Sequence, residues 1–209
     1  MRNHLTHAAA LAALLLLSFS MLGAAGCPTR PTDPAPVDYD EIVEGTAAGL
    51  IATGETLRTT APDFDSCVVG VVLQAVGDGA LSVALPIKAS VEAGECAGEA
   101  PGFAIDPSPC LGLPGTPETP EQVDAALDEV ALGLALALPP ASMGAGYLST
   151  AAQADGDVGA CVALALLRDL LDPAGGLAEQ VLAVVEDPGS PFTVPPAAWD
   201  CSACIPGAG

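Results

Sequence analysis

The chain has little aromatic and little basic character. Aromatic residues make up 3% of its 209 residues, and five lysines and arginines stand against 26 aspartates and glutamates. Both histidines, His4 and His7, fall within the first 26 residues, and Lys88 is the single lysine. Beyond residue 26 there is therefore no Ser-His-Asp or Cys-His arrangement and no histidine-bearing zinc site. A Walker loop, a Gly-x-Gly-x-x-Gly following a strand and a Gly-x-Ser-x-Gly elbow are also missing. From residue 27 onward, Arg30, Arg58, Lys88 and Arg168 face all 26 acidic residues, a formal charge of about −22. That balance disfavours nucleic acid and anionic lipid as partners, because both need basic surface to displace counterions. It reads first as solubility, and second as attraction for divalent cations or cationic partners. With Tyr39, Phe64, Phe103, Tyr147, Phe192 and Trp199 as its only aromatics, the part beyond residue 26 must build its core from Ala, Val, Leu and Gly. Such side chains bury little area each, and disulfides would fill the gap.

What the N-terminus does have is an export signal. Arg2 is the only fixed positive charge ahead of an uncharged stretch from Ala8 to Gly26, and Leu11 to Leu17 is almost wholly aliphatic. Ala24-Ala25-Gly26-Cys27 closes the stretch, with Ala where Leu is usual three residues before the Cys, and with Leu22 two residues further upstream. This segment resembles the lipobox of bacterial lipoproteins. The resemblance implies diacylation of the Cys27 thiol with palmitate-type chains, cleavage before Cys27, and acylation of the new amino terminus. Several acyl chains, at about 0.8 kcal/mol per buried methylene, anchor a protein without a spanning helix. Pro28, rather than Asp, follows the Cys, which favours the outer membrane in enterobacteria-like sorting. The expected organisation is a signal peptide over 1–26, the lipidated Cys and a Pro-rich tether over 27–37, and a helical domain over 38–209.

Asp38-Tyr39-Asp40-Glu41 looks like a capping box. Ile42, Val43, Ala47, Leu50, Ile51 and Leu57 then follow at helical spacing to about Arg58. Shifting the chain by 94 residues lays Cys67-Val68 on Cys161-Val162, Leu73 on Leu167, Asp78 on Asp172 and Val91-Glu92 on Val185-Glu186. The same shift lays Ala104 to Cys110 on Ala198 to Cys204 without a gap. Just upstream, Gly49 to Thr53 resembles Gly146 to Thr150 after a three-residue adjustment. The pattern reads as a duplicated unit. On propensity alone, Val68 to Leu85 with Gly77-Asp78-Gly79 at its middle could be a hairpin. Its counterpart, Val158 to Leu171 and Leu177 to Glu186, is helical, so both copies are expected as helix–turn–helix, with Pro86 kinking or restarting the second helix of the first copy. Thr119-Pro120-Glu121-Gln122 opens another helix, expected to stop near Leu138 before Pro139-Pro140. The fold class expected is all-α: a disulfide-stapled helical bundle of two tandem repeats, about 40–110 and 131–204.

Six cysteines remain after Cys27, and an even number in an exported chain reads as three disulfides. The repeat ranks the fifteen pairings. Cys67–Cys110 and Cys161–Cys204 are equivalent under the shift, which leaves Cys96 and Cys201 to pair across the units.

The remaining motifs are weak. Cys201-Ser202-Ala203-Cys204 has redox spacing, but it lies at the C-terminal end with no thioredoxin-like pattern around it. Asp63 and Asp65, and Asp155 and Asp157, are the candidate metal ligands; each pair supplies too few oxygens for calcium, and Asp65 or Ser66 and Asp157 read more simply as helix N-caps. Asp124, Asp128 and Glu129 lie on one polar helix face rather than forming a glycosidase pair. Val130 to Leu148 is uncharged over a membrane-span length, but Pro139-Pro140 and the glycines point to buried bundle helices. No cofactor is implied. The expectation is a non-enzymatic envelope lipoprotein with a structural or binding role, meeting the membrane through Cys27 and a protein partner of unknown identity. The alternative is a small-ligand or divalent-cation module with its site in a cleft between the units.

Overall fold

The computed structural model of the chain describes residues 37–60, 63–172, 185 and 191–205. The expected signal peptide, Cys27 and all of the Pro-rich tether except Val37 lie outside these residues, as does most of the helix expected over 177–186. Along the chain the elements are α1 (Tyr39–Thr60), α2 (Phe64–Glu92), β1 (Ala97–Ala100), β2 (Phe103–Ile105) and a 3-10 turn (Ser108–Cys110). These are followed by α3 (Pro120–Asp155), α4 (Val158–Leu171), β3 (Phe192–Val194) and β4 (Ala197–Asp200). The protein is mostly helical and carries two disulfides, but it is not all-α. Two short antiparallel sheets, β1 with β4 and β2 with β3, join residues about a hundred positions apart. Strands of three and four residues, one of them Ala-Gly-Glu-Ala, carry no alternating pattern that a sequence reading could detect.

α1 lies along α2 and α3 along α4, while α2 also packs on α4 and α3. α2 is the central helix: Phe64, Val68, Val72, Leu73 and Val76 are all buried. Across from them, α3 contributes Val130, Leu134 and Leu138, and α4 contributes Leu164, Leu167 and Leu171. As the composition requires, this core is aliphatic and built on helix–helix contact.

Two expected breaks do not occur. Gly77-Asp78-Gly79 is not a turn, and α2 runs through it and through Pro86 without interruption. The glycines serve approach: a Cβ on Gly77 would meet Ile51 and the Ala47 carbonyl of α1, and one on Gly79 would meet the Phe103 ring. Nor does α3 stop at Pro139-Pro140; it continues to Asp155. Proline removes the N–H that would bond the carbonyl four residues back. Those carbonyls belong to Ser82 for Pro86 and to Ala135 and Leu136 for the pair, and all three residues are exposed, so the freed oxygens are not sealed into the core.

The ends of the helices follow local chemistry. Thr119 and Gln122 form the capping box of α3, with Pro120 in the first turn. Gly156, at φ 81°, ends α3 in the left-handed region that favours glycine, and Asp157 caps α4 one residue later by accepting from the Ala160 N–H at 2.9 Å. At the corresponding start of α2 the cap is Asp63, accepting from the Ser66 N–H at 2.9 Å, and not Asp65 or Ser66. Asp65 instead lies in the first turn, where a carboxylate suits the helix dipole.

Candidate functional site

The most distinctive place in the fold is where its two halves cross. β1 and β2 follow α2, and β3 and β4 lie near the C-terminus. Ala97 stands opposite Asp200 and Ala100 opposite Ala197, while Phe103 stands opposite Val194 and Ile105 opposite Phe192. The register therefore carries through both sheets, which are one antiparallel ribbon interrupted where Pro101-Gly102 faces Pro195-Pro196. Prolines lack the N–H a ladder needs, so pairing lapses there. Each half contributes one strand to each side of the gap. Trp199 lies over its partner Gly98, shielding a residue that has no side chain of its own to pack.

Gly102 is required at the crossing, because a Cβ there would lie against the Val194 carbonyl and within 3.2 Å of Pro195 and Pro196. Gly102→Ala is expected to cost about 2 kcal/mol by forcing two backbones apart. Denaturant unfolding measures the loss, and a variant as stable as the parent would show that the crossing has room.

Under the ribbon is a cavity of about 200 Å³. Val83, Leu166 and Leu170 line it from the helices and Ala100, Phe103 and Val194 from the strands; among the described residues Asp169 is its one charged lining residue. That carboxylate already accepts from Arg168 Nε and Nη2, at 2.7 and 2.6 Å. A second groove, of about 350 Å³, is lined by Arg58, Gln74, Asp78, Ser82, Phe103 and Asp106.

At the two ribbon ends Asp106 and Asp200 make matching turns, accepting from the Ser108 and Ser202 N–H groups at 2.9 and 2.7 Å. The neighbouring serine, side chain first and then backbone, holds each carboxyl below the usual carboxylate range. Next to these turns are the staples. Cys67 is bonded to Cys110 and Cys161 to Cys204, each across 43 residues, with Cα separations of 5.6 and 5.9 Å. The third expected pair is not a bond here: Cys96 and Cys201 are both thiols, Cys96 exposed and Cys201 buried.

The candidate metal ligands are put to other uses. Asp63 and Asp157 are helix caps, and Asp155 accepts the Tyr39 hydroxyl at 2.7 Å. Among the described residues, no three His, Cys, Asp or Glu side chains are grouped to hold a metal ion. Asp124, Asp128 and Glu129 are exposed on α3. Lys88 is held by both Asp40 oxygens at 2.9 Å, with Glu92 at 3.5 Å. The Asp40 hydrogen bond outweighs the opposing effect of burial and raises the lysine pKa. Val130 to Leu148 is buried on only one side, because Leu132, Leu136, Met143 and Tyr147 are exposed along α3.

Sequence reasoning missed Tyr39 as more than part of a cap. Its ring is buried at the start of α1 and its hydroxyl reaches the end of α3, so it ties the first helix to the second half. Burial first, then the hydrogen bond and the charges of Asp155 and Asp157, push its pKa up to about 12 from the usual 10. The fold thus favours the neutral phenol. Its contribution is intact below pH 10 and is lost as pH rises through 12. Alkaline unfolding followed by absorbance should show this loss, and Tyr39→Phe should remove that pH dependence while costing about 1 kcal/mol at neutral pH. No protein-family model, curated protein or solved structure matches the chain.

Proposed function

We propose that the protein is an envelope lipoprotein, held by acyl chains on Cys27 at the outer membrane, whose helical domain over 38–209 has a structural or binding role and no catalytic one. The observation that carries the anchoring is the uncharged stretch from Ala8 to Gly26 ending in Ala24-Ala25-Gly26-Cys27. The domain is a duplicated helical unit, about 40–110 and 131–204. Matched details 94 residues apart support this: the Asp63 and Asp157 caps, the Asp106 and Asp200 turns, and two staples of equal span. Antiparallel pairing of each copy's strands with those of the other then braces the copies against one another, which suits display on a tether.

Metabolic labelling with a fatty-acid analogue, followed by membrane fractionation, tests the anchor. The wild-type chain should carry label and float with outer membranes, and Cys27→Ser should carry none. Unlabelled, soluble wild-type protein would refute the reading. A second reading, a small-ligand module, is favoured by the apolar cavity between the halves. An uncharged apolar dye that binds the wild type, and binds an Ala100→Leu variant at least tenfold more weakly, would favour it; unchanged binding would count against it. A melting temperature indifferent to calcium would dispose of the cation form of that reading.

A further inference from the structure

The two staples leave Cys96 and Cys201 unbonded, yet the ribbon sets these residues against each other. They lie one step beyond the Ala97–Asp200 pair, and the Cys201 N–H donates to the Cys96 carbonyl at 3.1 Å. Opposed residues of a hydrogen-bonded antiparallel pair have Cα atoms about 5.5 Å apart, which is inside the span of about 4.4–6.8 Å that a disulfide bridges. The Cys201 Sγ lies 3.9 Å from the carbonyl of Glu95, the residue next to Cys96. Cys204, the nearer cysteine in sequence, is taken by Cys161 and is not available to Cys201. The surroundings of the pair are unequal: Cys96 is open to solvent and Cys201 is 1% exposed.

We infer that Cys96 and Cys201 are a redox-responsive lock across the ribbon, with Cys96 the entry thiol and Cys201 the resolving thiol. The oxidant is a small-molecule disulfide. The Cys96 thiolate attacks one of its sulfurs, the sulfur–sulfur bond breaks, and a mixed disulfide forms on Cys96 as the first small thiolate leaves. The Cys201 thiol then gives up its proton and attacks the Cys96 sulfur, expelling the second small thiolate. Two protein thiols and one small disulfide become one protein disulfide and two small thiols, which carry away both protons. Burial first, then the contact with Cys96 and the charge of Asp200, push the Cys201 thiol up to about 11. That keeps Cys201 protonated and leaves the first attack to Cys96.

The bond joins what the staples do not. Cys67–Cys110 lies within the first half and Cys161–Cys204 within the second, whereas Cys96–Cys201 ties one half to the other. It closes one end of the ribbon whose middle lines the apolar cavity, so the oxidation state of the pair sets how firmly the halves are held together.

The test uses the full-length chain in detergent, mildly reduced so that the staples survive, then exposed to oxidised glutathione. Wild-type protein should lose both thiols together, and mapping of unreduced peptides should recover Cys96 joined to Cys201. Cys201→Ser should stop at a glutathione adduct on Cys96, and Cys96→Ser should react at least about tenfold more slowly. In wild-type protein, which needs no variant to fold, a brief pulse of alkylating reagent should label Cys96 ahead of Cys201. Closure should raise the melting temperature by about 5 °C. A stable glutathione adduct on wild-type Cys96, a Cys201–Cys204 link, or Cys201 labelled ahead of Cys96 would each overturn the inference.

Discussion

Replacing Cys161 and Cys204 together by alanine is expected to lower the unfolding free energy by about 4 kcal/mol, and Cys67 with Cys110 by a similar amount. Each bond closes a segment of 43 residues, so its loss returns the same loop-closure entropy to the unfolded chain. All four cysteines are buried, and Cys161 is further fixed where the Ser149 hydroxyl donates to its carbonyl at 2.9 Å. A domain of this size is stable by about 5–15 kcal/mol in total, and this one has an aliphatic core that yields little per residue. Loss of one staple should leave a folded but weakened protein, and loss of both should leave it largely unfolded at growth temperature. Urea titration of the two double variants and the quadruple variant measures this. Losses under about 1 kcal/mol would mean that helix packing alone holds each half.

The second large effect should come from adding a single methyl group. α1 and α2 touch backbone to backbone at Gly54 and Gly70. A Cβ on Gly54 would lie against the Gly70 carbonyl and 3.0 Å from the Gln74 nitrogen; one on Gly70 would lie 2.6 Å from the Gly54 carbonyl and 2.8 Å from Arg58 Cγ. Main-chain atoms cannot rotate out of the way, so the helices must separate. Alanine gains about 1 kcal/mol of helix propensity over glycine, but overpacking of this kind costs about 1–3 kcal/mol, and more when backbone is struck. Gly54→Ala and Gly70→Ala should therefore each destabilise by about 2 kcal/mol. On the same helix as Gly54, a methyl group added at Gly45 or Gly49 would have nothing within 4 Å, so alanine there should stabilise by about 0.5–1 kcal/mol. Thermal unfolding of the four variants decides it, because the sign should reverse within one helix. Four shifts of the same sign would show that propensity, not contact, governs α1.

Particular elements show how legible the fold was. The start of α1, the Thr119 capping box of α3 and the whole of α4 follow from periodicity and caps, which act within a few residues. Pro139-Pro140 misled because proline's cost depends on whether the freed carbonyls reach water, and the sequence does not say which side of a helix faces solvent. Gly77-Asp78-Gly79 misled for a related reason: glycine marks a turn or a close approach equally well, and only the presence of α1 and Phe103 distinguishes them. The apolar stripe of Leu132, Leu136, Met143 and Tyr147 looked like core for want of the same information.

The sequence by itself determined the helical character, the scarcity of catalytic groups and, through its internal likeness at 94 residues, the partners of the two staples. It also set Cys96 and Cys201 aside as a pair. Only the tertiary structure decided that strands exist at all, that those of one half pair with those of the other, and that Cys96 and Cys201 meet as thiols of unequal exposure. The physical reason is range. Caps, periodicity and repeats are written in neighbouring or directly comparable residues. Pairing Ala97 with Asp200 depends on loop closure and on the packing of every helix between them.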